Sequence, residues 1–250
     1  MTGIELFAIF SGFLIGSAID AAADRFERSE PWLTRRSRCR ACDRGLRWYE
    51  LVPVISWLVL RGRCRSCKGP IGLSAPVTEI AGALVALAAV LLTPADMPFG
   101  LGFSLALGWL LLALAAIDRR TFLLPDGLNA AVLAAGAVMV AVVKPEEWPL
   151  HVTGAVAGYG LLRMVEVVYR RLRGVDGLGR GDAKLLGAIG GWVGLAGIPP
   201  VLLIASLSAI LATLATSLVR RQSVSGQTAI AFGPWIALGG YVVWLLPPSL

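Results

Sequence analysis

Long apolar segments separated by short polar connections run along almost the whole chain. We place eight of them, at residues 4–22, 77–92, 101–117, 128–143, 150–168, 185–198, 201–219 and 229–246. A helix needs about 20 residues to cross the hydrocarbon core of a bilayer, so each segment is predicted to be a transmembrane helix. The run from Leu185 to Val219 is too long for one crossing, and Gly197-Ile198-Pro199-Pro200 is its predicted break. The predicted fold class is therefore an all-α polytopic membrane protein of about eight helices.

Composition agrees with this pattern. Of the 250 residues, 56% are apolar and only 16% are charged, and the mean hydropathy is +0.73. A soluble domain carries about 25% charged residues. The net charge is +7, and a basic protein can face nucleic acid, acidic lipid or the cytosol. The positions of the basic residues in the sequence decide between these three environments.

The basic residues occupy alternate connections between the predicted helices. Twelve of the 23 lysines and arginines lie between Arg25 and Lys68, and only Lys144 falls on the opposite side from the others. The positive-inside rule then places 22 of the 23 in the cytosol and both chain ends outside. We expect the lipid bilayer to be a partner of this protein, and we expect no nucleic-acid partner.

All four cysteines lie in the first predicted cytosolic connection. Cys39 with Cys42, and Cys64 with Cys67, form two C-x2-C pairs with 21 residues between them. Four thiolates in such pairs bind one tetrahedral Zn²⁺ and leave no position for water, which is typical of a structural site. Disulfides or unliganded thiols are the alternatives, and a reducing cytosol disfavours the disulfides. We therefore divide the chain into a first helix at 1–23, a zinc-binding domain at 24–75 and a membrane domain at 76–250.

Three aspartates are expected at the cytosolic ends of predicted helices. Asp118 ends the third, Asp126 precedes the fourth and Asp182 begins the sixth. Simple alternatives exist: Asp118 as a solvated helix end paired with Arg119 or Arg120, and Asp126 and Asp182 as helix N-caps. Ionisable groups at membrane depth are costly and tend to be functional or paired.

The glycines before Asp182 favour a functional interpretation of that residue. Gly177, Gly179 and Gly181 alternate in the stretch GLGRGD, and glycine permits both unusual backbone angles and a close approach by another chain. The short helix that follows suggests that this segment enters the membrane face and brings Asp182 to the depth of Asp118. Two carboxyls in a partly dry site share a proton and can act together as general acid and base on one water. The single histidine, His151, is expected at the outer interface without a special role.

These motifs together resemble one known family. The stretches AAIDRRTFLLPD and GRGDAKLLGAIGGWVG, with the two cysteine pairs, resemble the bacterial type IV prepilin peptidases, as do WYELVPVISWLVLRGRC, VTEIAGAL and AFGPWIALGG. The first helix ends in GSAIDAAADRF, which departs from the Asn- and Arg-containing form usual in the family. The resemblance extends over nearly the whole chain.

The resemblance implies an aspartic endopeptidase of the bacterial inner membrane. It implies Asp118 and Asp182 as the catalytic pair, and Asp126, Gly179, Gly181 and Lys184 as supporting residues. The implied partners are prepilins and pseudopilins with a basic leader and an apolar N-terminal helix, cut on the cytosolic side after a glycine. N-methylation of the new N-terminus with S-adenosylmethionine is also implied, in association with the cysteine loop. A proton-coupled transporter and a non-catalytic assembly factor are the competing functions, but polar groups clustered at one face do not suit the transporter.

Overall fold

The computed structural model describes residues 2–31, 36–174, 179–220 and 230–247. Within these ranges the regular structure is helical apart from two isolated β-bridges. The α-helices are α1 Gly3–Glu27, α2 Ile55–Val59, α3 Ser74–Leu92, α4 Gly100–Thr121, α5 Asp126–Val143, α6 Trp148–Arg173, α7 Arg180–Arg220 and α8 Gly233–Leu245.

The apolar character of these helices matches the predicted fold class. Six described helices are long and apolar enough to cross a membrane, and α8 is a shorter apolar helix. Helix α7 has 41 residues, about 60 Å at 1.5 Å per residue, or roughly twice the hydrocarbon thickness. A kink divides α7 into two segments, so the described chain contains eight apolar helical segments. The prediction of an all-α polytopic membrane protein is confirmed.

The helices fall into two compact units, residues 1–91 and 92–250. In the first unit α1 packs against α3 through small residues. A Cβ built on Gly12 would lie 2.5 Å from the carbonyl oxygen of Gly82, and one built on Gly16 would lie 2.5 Å from that of Thr78. Such close backbone approach is how helices associate where the surrounding lipid is as apolar as leucine.

The second unit is a bundle in which α7 packs against α5, α6 and α8. Trp192 of α7 lies at its centre, fully buried, and donates its indole N–H to the carbonyl oxygen of Val132 at 2.8 Å. Its ring makes an edge contact with Trp244 of α8 at 5.1 Å between ring centroids. A buried indole that finds a hydrogen-bond partner orients its neighbours as well as filling volume. These contacts fix the helices whose ends carry the candidate site.

The break in α7 is not at the predicted position. Gly194 has φ 69° and ψ −177°, while Pro199 and Pro200 lie inside the helix that follows. Only glycine adopts such backbone angles readily, whereas proline fixes φ near −65°, a value that a helix accepts. The prediction of a break at 197–200 was therefore wrong by a few residues.

The expectation that His151 has no special role was also wrong. This side chain is buried, and its Nδ1 lies 3.1 Å from the carbonyl oxygen of Gly191. Because α7 breaks at Gly194, carbonyls in the preceding turn lose their usual helical partners. The imidazole occupies the position of one such partner, so His151 of α6 stabilises the kink in α7.

Candidate active site and metal centre

Asp118 is buried at the last turn of α4. Only 4% of the residue is exposed, and Oδ2 accepts a hydrogen bond of 3.0 Å from the backbone N–H of Gly233, the first residue of α8. Helix α4 ends three residues later at Thr121, and the next residue, Phe122, adopts the left-handed conformation and donates its N–H to the carbonyl oxygen of Asp118. The first N–H groups of a helix have no partner within it and favour a negative charge. The interpretation of Asp118 as a solvated helix end was therefore wrong.

Asp182 lies in the first turn of α7 and is 8% exposed. Its backbone N–H donates to the carbonyl oxygen of Gly179 at 3.1 Å, so the polypeptide turns into the helix directly before the carboxyl. Asp118 and Asp182 are close enough for their charges to interact. The end of α4 and the start of α7 thus each carry a buried carboxyl, and the two charges interact. Gly177 lies outside the described residues.

Two glycines and one leucine surround the carboxyl pair. A Cβ built on Gly233 would lie 2.7 Å from Oδ2 of Asp118 and 3.2 Å from Cδ1 of Leu124. A Cβ built on Gly181 would lie 2.9 Å from Cβ of Leu124. Leu124, in the connection between α4 and α5, therefore packs beside both glycines. Sequence reasoning identified Gly181 but missed Leu124 and Gly233, because neither carries a chemically active side chain and both act through packing and the backbone.

Asp126 does not cap α5. The N-cap is Pro125, Asp126 is the first helical residue, and no side-chain capping bond is formed. Its Oδ1 instead lies 2.6 Å from Nζ of Lys184, and the two side chains are 76% and 41% exposed. The capping interpretation was therefore wrong, and Asp126 and Lys184 together form an exposed ion pair that joins α5 to α7.

A buried carboxylate ties α6 to the start of α7. Glu166 is 1% exposed and accepts hydrogen bonds from Arg163 and Arg170, while Nε of Arg180 lies 3.7 Å from its Oε1. Arg180 is the first residue of α7 and stands two positions before Asp182. A buried charge is tolerated when several partners neutralise it. This cluster, which sequence reasoning did not identify, holds the helix end that carries Asp182.

Asn129, one turn into α5, was also missed. It is 4% exposed, and both atoms of its side-chain amide lack a hydrogen-bond partner among the described residues. An asparagine in an apolar helix gives no sequence signal that distinguishes a buried amide from an exposed one.

The four cysteines converge in the first unit. Their Sγ atoms all lie within 4.8 Å of one another, and Sγ of Cys39 is 3.7 Å from Sγ of Cys67. A tetrahedral zinc site with bonds of about 2.3 Å separates its sulfurs by about 3.8 Å. The donor set and its spacing fit a metal ion, so the residues present can hold one.

The two cysteine pairs have matching backbones. The N–H of Cys39 bonds to the carbonyl oxygen of Arg44, and that of Cys64 to the carbonyl oxygen of Gly69, each five residues onward at 2.9 Å. Backbone N–H groups of Cys67 and Ser66 lower the pKa of the Cys64 thiol to about 6. These backbone hydrogen bonds are the main cause of that shift. A lowered thiol pKa favours the thiolate that binds metal.

Comparisons with known proteins agree with the geometry. The family model described as "Bacterial Peptidase A24 N-terminal domain" matches residues 10–93, and that described as "Type IV leader peptidase family" matches residues 105–214. A protein of Burkholderia pseudomallei (strain K96243) named "Prepilin leader peptidase/N-methyltransferase" is 35% identical over 96% of this chain and 84% of its own length. A protein of Dickeya chrysanthemi with the same name is 39% identical over 82% of this chain and 71% of its own length.

No solved structure matches the chain significantly. The family assignment therefore stands on sequence, and nothing in these comparisons supports the transporter alternative. The two family models together span both cysteine pairs and both buried aspartates. With relatives of this similarity over most of its length, the chain is a membrane protein of the type IV leader peptidase family.

Proposed function

We propose that this protein is a membrane aspartic endopeptidase that removes the basic leader peptide of prepilins and pseudopilins. The observation that carries the proposal is the pair of buried carboxyls, Asp118 and Asp182, at adjoining helix ends in a chain of this family. The relatives named as prepilin leader peptidases support the substrate class. Asp118 and Asp182 are the proposed catalytic residues.

The proposed chemistry is the hydrolysis of a peptide bond by water held between the two carboxyls. Two buried carboxyls whose charges interact cannot both ionise easily, so one retains a proton. The ionised member takes a proton from water as the oxygen attacks the peptide carbonyl, and the protonated member donates to that carbonyl. Collapse of the tetrahedral intermediate then returns a proton to the leaving amine. The N–H of Gly233 orients Asp118 for this cycle.

The surroundings of the pair favour an extended peptide as substrate. Gly179 carries no side chain beside Asp182, where a built Cβ would lie 3.1 Å from Oδ2, so a second chain can approach the carboxyl there, whereas Gly181 packs against Leu124. A glycine before the scissile bond would help the substrate helix unwind and expose its carbonyl. The ion pair of Asp126 with Lys184 and the cluster around Glu166 fix the helices on either side of this approach.

We place the site at the cytosolic face of the bacterial inner membrane. The distribution of lysines and arginines supports this orientation, since the last turns of α4 and α6 carry arginines and the connection after α5 carries Lys144 with two glutamates. The basic leader of the substrate would then remain on the side where it is synthesised. The apolar part of the substrate would lie in the bilayer beside the bundle.

Two further groups belong to the proposal. Cys39, Cys42, Cys64 and Cys67 would hold a structural Zn²⁺ that fixes the loop between α1 and α3. The names of the relatives include N-methyltransferase, and we assign to this chain the methylation of the new N-terminal amine with S-adenosylmethionine. The methyl donor supplies an electrophilic methyl group on sulfur.

The test is the cleavage of a prepilin by the purified protein without S-adenosylmethionine. Asp118→Asn and Asp182→Asn keep the size and polarity of the side chains but cannot share a proton, so each should lose at least about a thousandfold in rate. Asp96→Asn is the matched control, because Asp96 is an exposed aspartate in the connection before α4. A folded Asp118 or Asp182 variant that cuts at the wild-type rate would refute the assignment.

A further inference from the structure

Asn129 is a buried polar residue of α5 that has no role in the chemistry proposed above. The residue is 4% exposed, and neither Nδ2 nor Oδ1 has a hydrogen-bond partner within the part of the chain that the structure describes. Folded proteins pair nearly all buried polar groups, because an unpaired amide in an apolar interior costs free energy. The side chain can therefore receive a partner that supplies both a donor and an acceptor.

Asn129 lies at the same end of the bundle as the aspartate at the end of α4. Helix α4 ends at Thr121, α5 begins at Asp126 after a short connection, and the two helices pack together. Asp118 stands three residues before the end of α4, and Asn129 stands three residues after the start of α5. Both residues are therefore about one turn inside helices that run in opposite directions from one connection.

Two contacts define the register between α5 and α7. Oδ1 of Asp126 lies 2.6 Å from Nζ of Lys184. Further along both helices, a Cβ built on Gly191 would lie 3.1 Å from Cδ1 of Leu133. The residue pairs 126–184 and 133–191 are each 58 positions apart. The two helices therefore run side by side in the same direction with a constant offset.

This register places Asn129 deeper in the bundle than Asp182. Gly187 is 58 positions beyond Asn129 and follows Asp182 by five residues in the same helix, which is about 7.5 Å at 1.5 Å per residue. Asn129 also shares a face of α5 with Gly136, seven residues onward. A Cβ built on Gly136 would lie 2.8 Å from the ring of Trp192, so this face of α5 is turned toward α7.

The side-chain amide of asparagine has the same donor and acceptor groups as a peptide unit. A metal cation would bind only its oxygen, and an anion would bind only its N–H groups. In an extended chain the N–H and the carbonyl oxygen of one residue point to the same side, and a neighbouring strand bonds to both. A segment of extended polypeptide therefore satisfies both Oδ1 and Nδ2 of Asn129.

We propose that Asn129 binds the backbone of the prepilin about two residues beyond the scissile bond, on the side of the mature pilin. This inference rests on the proposed function and adds a substrate contact to it. The apolar part of the prepilin continues from Asp118 and Asp182 into the bilayer, and a depth of about 7.5 Å corresponds to about two residues of extended chain at 3.3 Å per residue. Oδ1 accepts the N–H of that substrate residue, and Nδ2 donates to its carbonyl oxygen.

The contact selects the unwound form of the substrate. In an α-helix each carbonyl oxygen is bonded to the N–H four residues onward, so it is not available to Asn129. Pairing with the amide therefore favours an extended segment, in which the neighbouring scissile carbonyl is open to the two aspartates. Because the contact involves only the substrate backbone, it serves prepilins whose side chains differ at this position.

Cleavage of a synthetic prepilin peptide by the full-length protein in detergent tests the contact. The peptide contains the leader and the apolar segment, and in each version one amide bond beyond the scissile bond is replaced by an ester, which removes one N–H. The wild type should lose about tenfold in kcat/KM when the ester removes the N–H at the second or third residue, because Oδ1 is then left unpaired. Asn129→Leu should lose about tenfold on the all-amide peptide and no more on any ester.

Two further variants separate the contact from folding. Asn129→Ala removes the amide and leaves a smaller side chain, so it should be equally insensitive to the ester position. Met139→Leu is the matched control, because Met139 is fully buried in α5 ten residues deeper than Asn129 and the exchange nearly conserves volume. It should keep the wild-type kcat/KM and the wild-type response to each ester. The thermal midpoint of Asn129→Leu should equal or exceed that of the wild type, since the unpaired amide is gone.

The two proposals fail in different ways. If Asn129→Leu and Asn129→Ala respond to the esters as the wild type does, the amide does not contact the substrate and the inference is overturned, while the peptidase stands. If no ester beyond the scissile bond slows the wild type, the inference is likewise wrong. A folded wild type that cuts no prepilin peptide at all would refute the proposed peptidase and the contact with it.

Discussion

The hydrogen bond from Gly233 to Asp118 links two residues that are 115 positions apart in the chain. Replacing Gly233 by alanine would place a Cβ 2.7 Å from Oδ2 of Asp118, so the carboxyl must move. Small displacements of a catalytic group cost up to about a hundredfold in rate. We expect Gly233→Ala to lose at least about tenfold in prepilin cleavage while remaining folded.

The control for this variant is Gly102→Ala. Gly102 lies in the same helix as Asp118, and a Cβ built there meets nothing within 4 Å. The Gly102→Ala variant should cleave prepilin at the wild-type rate in the same assay. Wild-type cleavage by Gly233→Ala would mean that the contact with Asp118 does not position the carboxyl.

The ion pair of Asp126 and Lys184 tests how much an exposed contact between α5 and α7 contributes. With exposed fractions of 76% and 41% for the two side chains, solvent screens the charges and their coupling should stay below about 1 kcal/mol. A double-mutant cycle of Asp126→Asn and Lys184→Met, measured by unfolding, gives this value. A coupling above about 2 kcal/mol would indicate that the pair is buried in the working protein.

The residues that the sequence predicted and those that it missed differ in kind. Asp118, Asp182 and the four cysteines could be identified because their chemistry is unusual in an apolar chain or their spacing is regular. Gly233, Leu124 and Asn129 could not, since their importance depends on contacts between distant segments. The partner of Asp126 was missed for the same reason, because Lys184 lies 58 positions away.

At the scale of single elements, the kink in α7 depends on one glycine. Gly194 has φ 69° and ψ −177°, a region that costs other residues about 1–3 kcal/mol. A Cβ there would come no closer than 3.7 Å to the carbonyl oxygen of Leu150, so the cost is conformational rather than steric. Gly194→Ala should therefore lower the free energy of unfolding by about 1–3 kcal/mol.

A second glycine provides a control of opposite sign. Gly160 lies within α6 with nothing within 4 Å of a built Cβ, and glycine inside a helix is about 0.5–1 kcal/mol worse than alanine. Gly160→Ala should raise the thermal midpoint, while Gly194→Ala lowers it. Equal shifts in the two variants would show that the kink is not held by the glycine conformation.

The helices themselves were largely predictable, because the length of an apolar run reports the thickness of the bilayer. The position of the break in α7 could not be predicted, because several nearby glycines and prolines could interrupt the helix and only the packing against other helices decides between them. Gly194 packs against α6, because a Cβ built on Gly154 of α6 would lie 2.5 Å from the carbonyl carbon of Gly194. The two prolines, by contrast, could remain helical. Hydropathy carries no information about such a choice.

The cysteine loop offers a test of metal binding at the scale of one element. If the four thiolates bind one zinc, the purified protein should contain about one zinc per chain. Cys42→Ser should lose most of it, because three thiolates and a hydroxyl bind zinc more weakly. The metal content is measured by elemental analysis. Equal zinc in the wild type and in Cys42→Ser would contradict the assignment of these ligands.

At the scale of the whole molecule, charge and hydropathy together predict the orientation in the membrane. Hydropathy gives the number of crossings, but lipid tails are as apolar as leucine and so do not determine which helices pair. The pairs α1 with α3 and α6 with α7 depend instead on glycines spaced for close contact. The sequence contains those glycines without indicating which helix each one faces.

The orientation leads to a further prediction about the loops. The connection after α5 contains Lys144 with Glu146 and Glu147, whereas α6 ends with Arg170, Arg171 and Arg173. The excess of cations should keep the end of α6 in the cytosol and place the start of α6 outside. Alkaline phosphatase, which is active only outside the cytosol, should be active when fused after Pro145 and inactive when fused after Gly174. A green fluorescent protein fused at the same two positions should fluoresce in the opposite pattern. The reverse pattern of both reporters would place Asp118 and Asp182 on the outer face, where a leader that stays in the cytosol cannot reach them.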